Sequence, residues 1–273
     1  MLRIVLAIGI ISACPGFVQA TENKQGNSME TVAQLQDFQV IELRRYAIKA
    51  GERENFARYF ETWFPEAFQQ LGAIAFGEGF ERDNATWFTW LRGFKDMPAR
   101  VDVNTAFYYG PLWKEHRNVL NGLLLDSDNV LLLRPLNPER AIPVLPAVDV
   151  VQENEGAQGT VVMQIFAVQQ NGVDAFAEQA ASVFADYRNA GARDAGVLVT
   201  LDEPNNFPQL PVRTDGPYLV WLGIVRDDAM LETLKTSIAR SRTALAATEL
   251  LRGEPEFMVL DPAPRSRLRW LPR

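Results

Sequence analysis

Two hydrophobic periods alternate along the chain, and the alternation runs through the same order twice. Between Gln39 and Ala47, Ile41 and Leu43 fall on one face and Glu42, Arg44 and Tyr46 on the other, the two-residue repeat of a strand. After the turn at Ala50-Gly51 the repeat lengthens. Phe56, Phe60, Trp63, Phe64, Ala67 and Leu71 recur at helical spacing, and Gly72 closes the segment. Ala73 to Glu81 and Thr86 to Phe94 return to strand character on either side of Arg82-Asp83-Asn84. Pro98 to Asn121 reads as a second helical region broken near Gly110-Pro111, and Asn129 to Leu133 as a closing strand.

The same succession follows from Thr160. A strand to Val168 leads to the turn Asn171-Gly172, then to a helix carrying Phe176, Ala180, Val183, Phe184 and Tyr187. Gly196 to Leu201 and Pro217 to Val225 are the central strands, Asp227 to Leu251 the second helix, and Glu256 to Leu260 the last strand. The order β-α-β-β-α-β in each pass is that of a ferredoxin-like unit. The predicted fold is therefore α+β, with an internal duplication: residues 38–137 form the first unit and residues 160–268 the second. Residues 138–159, rich in proline and acid, form a linker. Trp87, Thr89 and Leu91 alternate with Phe88, Trp90 and Arg92, so the central strands are apolar on both faces. Two such sheets bury both faces by closing on each other, as in a barrel.

Composition adds boundaries to this picture. Hydrophobic residues make up 47% and charged residues 22%, the balance of a globular protein with a substantial core. With 27 basic against 34 acidic residues the net charge is −7, and no basic cluster stands out, which argues against nucleic acid as a partner. Residues 1–20 read as a signal peptide: Arg3, the apolar stretch Ile4 to Ile11, and the small-residue site Val18-Gln19-Ala20. The stretch is too short for a transmembrane anchor, so the expected location is periplasmic or extracellular. Ile11-Ser12-Ala13-Cys14 offers a second reading, a lipoprotein anchored at Cys14. Cleavage after Ala20 removes the single cysteine and with it any disulfide or zinc-thiolate site. Residues 21–37 form a polar, flexible lead-in.

Candidate chemistry concentrates in the first unit. Glu42, Arg44 and Tyr46 share one strand face, and Trp90 and Arg92 lie together on another. Directed into the barrel, they would converge in a mostly apolar cavity, the usual form of a small-molecule site. The competing reading is a buried, mutually satisfied ion pair. His116, the one histidine of the chain, stands on a helix with Trp113 three residues before it and Tyr109 a further turn back. It is a candidate catalytic base, or else a half-buried imidazole bonded to its surroundings. With no second histidine, no mature cysteine and no acidic motif, no metal site is expected.

With the strands placed, the first unit resembles a NIPSNAP domain. The features that carry the likeness are Glu42-Leu43-Arg44-Arg45-Tyr46, Trp90-Leu91-Arg92-Gly93-Phe94, Phe107-Tyr108-Tyr109-Gly110-Pro111-Leu112-Trp113 with His116-Arg117, and Ser127-Asp128-Asn129. The second unit is similar to the companion domain of exported bacterial members in Asn205-Asn206-Phe207-Pro208-Gln209-Leu210-Pro211-Val212-Arg213 and Pro264-Arg265-Ser266. The resemblance implies a dimeric α/β-barrel architecture and attaches no general reaction to it. Haem enzymes resembling chlorite dismutase share this architecture but take an axial histidine from the second unit. His116 is in the first, so no cofactor is expected.

Three functions follow as expectations. One is a small-molecule pocket in the barrel formed by the two halves, taking a hydrophobic ligand. Another is a cofactor-free monooxygenase- or isomerase-like enzyme acting on a hydrophobic or aromatic compound. The third, implied by eukaryotic relatives, is a protein-interaction module connected with vesicle and membrane traffic. A homo-oligomer is compatible with each.

Overall fold

The computed structural model describes residues 38–272. The expected signal peptide, Cys14 and the polar lead-in lie outside the described residues. The first half comprises β1 (Val40–Ile48), α1 (Arg53–Trp63), α2 (Pro65–Gln70), β2 (Ile74–Glu81), β3 (Trp87–Phe94), α3 (Met97–Tyr108), α4 (Pro111–Leu123) and β4 (Leu124–Pro135). The second comprises β5 (Thr160–Ala167), α5 (Val173–Asn189), β6 (Arg193–Thr200), β7 (Tyr218–Val225), α6 (Asp228–Ala246) and β8 (Glu256–Pro262).

Each half is a four-stranded antiparallel sheet, ordered β4-β1-β3-β2 in the first and β8-β5-β7-β6 in the second. The sheets join at both edges, β2 to β8 and β4 to β6, and close an eight-stranded barrel. The fold is thus α+β, two ferredoxin-like units forming one barrel within a single chain. Closure pairs the exposed edges that an open sheet would leave.

Local chemistry moves several element ends. Pro65 lacks an N–H and restricts Phe64 before it, so the long helix expected to reach Leu71 divides into α1 and α2. β4 starts at Leu124 rather than Asn129, because β1 pairs with it as far as Ile48 through two register shifts. α6 stops at Ala246, and Leu251 instead bridges Val168.

The lumen of the barrel is solid. Ile41, Leu43, Leu91, Leu131 and Leu133 meet Val161, Met163, Ile165, Val220, Leu222 and Met258 in one buried cluster. A bulge between Ala75 and Gly77 turns Phe76 into this cluster. Its ring lies over Gly93, where an added Cβ would come within 2.5 Å of it, so only glycine fits. Toward one end Arg45 is held by both oxygens of Glu81 (2.5 and 2.6 Å) and by Glu256 (3.1 Å), leaving a void of only about 10 Å³. No helix among the described residues is long and apolar enough to cross a membrane.

Candidate functional site

The alternation of β1 sends Ile41 and Leu43 into the lumen and Glu42, Arg44 and Tyr46 to the opposite face, beneath the helices of the first half. β3 lies beside it in register, with Glu42 opposite Arg92, Arg44 opposite Trp90 and Tyr46 opposite Phe88. The expectation of a pocket in the barrel lumen is therefore corrected. These residues do converge, but between the sheet and α1–α4, because the lumen side of both strands is taken by close-packed aliphatic residues and, toward one end, by Arg45 and Thr89 bonded to Glu81.

The centre of the arrangement is one carboxylate gripped by three guanidinium groups. Glu42 Oε2 accepts from Arg44 Nη1 and from Arg92 Nε, and Oε1 accepts from Arg100 Nε, each at 2.7 Å. Burial pushes the Glu42 carboxyl up, but Arg92, Arg44 and Arg100 together outweigh it and hold the group well below the usual carboxylate range. Arg44 Nε donates to the Tyr46 hydroxyl at 2.6 Å. One negative charge against three positive ones leaves an excess of two positive charges in a place where Glu42, Arg92 and Arg100 have no exposed surface.

Arg100, Asn104 and Tyr108 join the candidate residues through the structure. Asp96 caps α3 by accepting from Ala99 N at 2.8 Å, which sets Met97, Arg100, Val103, Asn104 and Phe107 along the buried stripe. A cation and an amide on an otherwise apolar stripe at i, i+3, i+4 and i+7 were the available signal. Arg100 is steadied from the other half of the molecule. Its Nη1 donates to Asn205 and Asn206 Oδ1 (3.0 and 2.7 Å), while Asn206 Nδ2 donates to Met97 O (2.7 Å).

Beside this cluster lies a cavity of about 90 Å³. Its wall is Phe60, Phe64, Phe68, Trp90, Phe107, Tyr108 and Trp113, with Arg44 and Tyr46 from β1, Asn121 and Ser127 among the polar groups, and Leu210 reaching over from the second half. Behind the wall, the Arg92 guanidinium carbon is 5.2 Å from the Phe68 ring centre and 5.9 Å from that of Tyr108. Larger hollows occur in the second half. One of about 720 Å³ runs between α5 and α6 over short polar side chains, and one of about 320 Å³ lies between Gln164 and the end of α6. Neither has a buried charge cluster on its wall.

Of the eight residues proposed from sequence, Glu42, Arg44, Tyr46, Trp90, Arg92 and Trp113 are brought together at or behind this cavity. Tyr109 is 57% exposed, and its neighbour Tyr108 faces inward in its place. His116 belongs to the α1–α4 seam. Its Nδ1 is 2.6 Å from the Tyr59 hydroxyl, and its ring stacks on Trp63 at 4.2 Å. Arg213 pairs with Asp215, Glu256 and Tyr218, away from the cavity.

No family model matches the chain, and no curated protein matches it. Solved structures do. A candidate monooxygenase of Lactobacillus acidophilus NCFM aligns over 84% of this chain and 97% of its own, at 10% identity and a TM-score of 0.52. A second candidate monooxygenase, from Fusobacterium nucleatum, aligns over 83% and 93% at 11% identity and a TM-score of 0.54. An uncharacterised NIPSNAP domain protein from Burkholderia xenovorans aligns over 35% of this chain and 93% of its own, at 19% identity and a TM-score of 0.32. For the two candidate monooxygenases, at these identities, the likeness is one of fold.

Proposed function

We propose that the first half is of NIPSNAP type and holds a small aromatic molecule between its sheet and its helices. The observation that carries this reading is the cavity wall: seven aromatic side chains, with the Arg44 guanidinium and Tyr46 phenol at the strand side. Ligand sites are typically apolar recesses with a few fixed polar groups, and the volume here restricts the occupant to about a single ring. Leu120 of α4 also lines the cavity, and Leu120→Phe adds bulk there without altering a member of the charged cluster. Titration of Trp fluorescence with single-ring aromatics is expected to give saturable binding that Leu120→Phe reduces at least tenfold. Equal binding by the two proteins would place the ligand elsewhere.

A second reading, cofactor-free oxygenation of the bound aromatic, is supported by the two candidate monooxygenases that share the fold. It requires oxygen uptake by the purified protein with an electron-rich ligand, abolished by Leu120→Phe. A ligand that binds and consumes no oxygen would leave a carrier or sensor. The exported location belongs to the same proposal, and N-terminal sequencing of the secreted chain checks it, with Thr21 as the expected first residue.

A further inference from the structure

The two halves of the barrel provide an internal control for the charged cluster. Trp90 and Trp221 occupy matching places, since each central strand sets its tryptophan opposite the first strand of its half, Arg44 in one and Gln164 in the other. Counting along the strands from that pair, Glu42 corresponds to Val162 and Arg92 to Gly223. The capping aspartates Asp96 and Asp227 also correspond, each accepting from the residue three positions on, which sets Arg100 against Leu231. Every ionised member of the cluster is thus uncharged in the second half, yet the second half forms the same four-stranded sheet, covered by two helices where the first half has four. The sheet they share has no need of three arginines and a glutamate at these positions.

The donors left over in the first half point one way. Trp221 Nε1 donates to Asp194 Oδ1 at 3.1 Å, whereas Trp90 Nε1 is buried with no hydrogen-bond partner among the described residues. The same holds for the donors Arg92 Nη1 and Nη2, Arg100 Nη2 and Asn104 Nδ2, against one unpartnered acceptor, Asn104 Oδ1. Arg44 commits Nε to Tyr46 and Nη1 to Glu42, and its side chain lines the cavity with Nη2 as the nitrogen not engaged by either bond. An indole N–H and a guanidinium can only donate. Donors in excess of acceptors, over two uncompensated positive charges in a buried place, are costly until an anion joins them.

We propose that the cavity selects a single-ring aromatic carboxylate, its carboxylate accepting from Arg44 Nη2 and Trp90 Nε1 and its ring lying against Phe68 and Phe107. Arg92 and Arg100 act from behind as a fixed positive field. This rests on the aromatic-pocket reading above and adds the charge of the ligand.

Benzoate and benzamide separate the two claims, because they share a ring and differ in charge. By fluorescence or calorimetric titration of the purified chain at low ionic strength, benzoate is expected to bind at least tenfold tighter than benzamide. Trp90→Phe, which removes one donor and keeps the aromatic wall, should narrow that ratio several-fold. Arg44→Met should abolish it while benzamide binding persists. Equal affinities in the wild-type protein would overturn the carboxylate and leave the aromatic pocket standing. Binding of neither probe would overturn both. The wild-type comparison needs no variant, so a misfolded Arg44→Met protein does not remove the test.

Discussion

Glu42 neutralises one of three arginines and is the hinge of the buried cluster. Its removal strands Arg44, Arg92 and Arg100 together without exposed surface to relieve them. Breaking a buried ion pair from one side costs about 3–5 kcal/mol, so Glu42→Gln is expected to lower the unfolding free energy by that order in denaturant titrations. A loss within the range of an ordinary surface change would mean that the cluster is already solvated. Glu78 presents the opposite case. Burial, with Glu61 nearby, pushes its carboxyl up to about 8. A carboxyl raised in the folded state favours folding fully below its unfolded value and loses that contribution as pH rises toward the folded value. The wild-type protein should therefore lose stability between about pH 5 and about pH 8.5 relative to Glu78→Gln, which keeps a neutral side chain throughout. Parallel stability curves for the two proteins would contradict the assignment.

The helices show what a one-dimensional pattern conveys and what it hides. The aromatic run of α1 reads plainly as a packing face; Phe56, Phe60 and Phe64 are buried, whereas Trp63 is 42% exposed and stacks on His116 at the edge. That same run cannot reveal that Phe60 and Phe64 also wall a cavity, since burial and lining require the same residue type. Alternation along β1 placed Glu42, Arg44 and Tyr46 on one face, but it does not say which face of a closed sheet is the inside. That depends on which face carries the shapes that fill the lumen, here Ile41 and Leu43. Arg100 was invisible for another reason: charged residues are common in helices, and its partner lies 58 positions away in sequence. His116 drew notice for its rarity, whereas its contacts join α1 to α4. His116→Ala should accordingly cost about 1–2 kcal/mol through the lost Tyr59 bond and Trp63 stacking, with benzoate affinity unchanged. A large loss of affinity at unchanged stability would return His116 to the binding site.

At the scale of the whole molecule, closure of the barrel ties the halves together and completes the site. The lumen is a single cluster shared by both sheets, so residues 38–137 expressed alone would expose Ile41, Leu43, Leu91, Leu131 and Leu133 to water. Light scattering of that fragment should find a dimer or larger aggregate, and a stable monomer with native-like spectra would refute the shared core. The second half also closes the cavity of the first through Leu210 and fixes Arg100 through Asn205 and Asn206. One half can therefore keep a buried cluster with excess positive charge while its counterpart maintains an uncharged core, a division available to a duplicated chain and not to two identical subunits.

The central claim is that Trp90 and its arginines wait for an anion that the matching half does not require. The indole N–H signals in an amide-type NMR spectrum of the ¹⁵N-labelled protein report on it directly, with Trp90→Phe and Trp221→Phe supplying the assignments. Titration with benzoate should move the Trp90 indole signal downfield and to saturation, as its N–H gains an acceptor. The Trp221 signal, already bonded to Asp194, should stay in place. A Trp90 signal that does not respond, or one that moves equally with benzamide, would contradict the account.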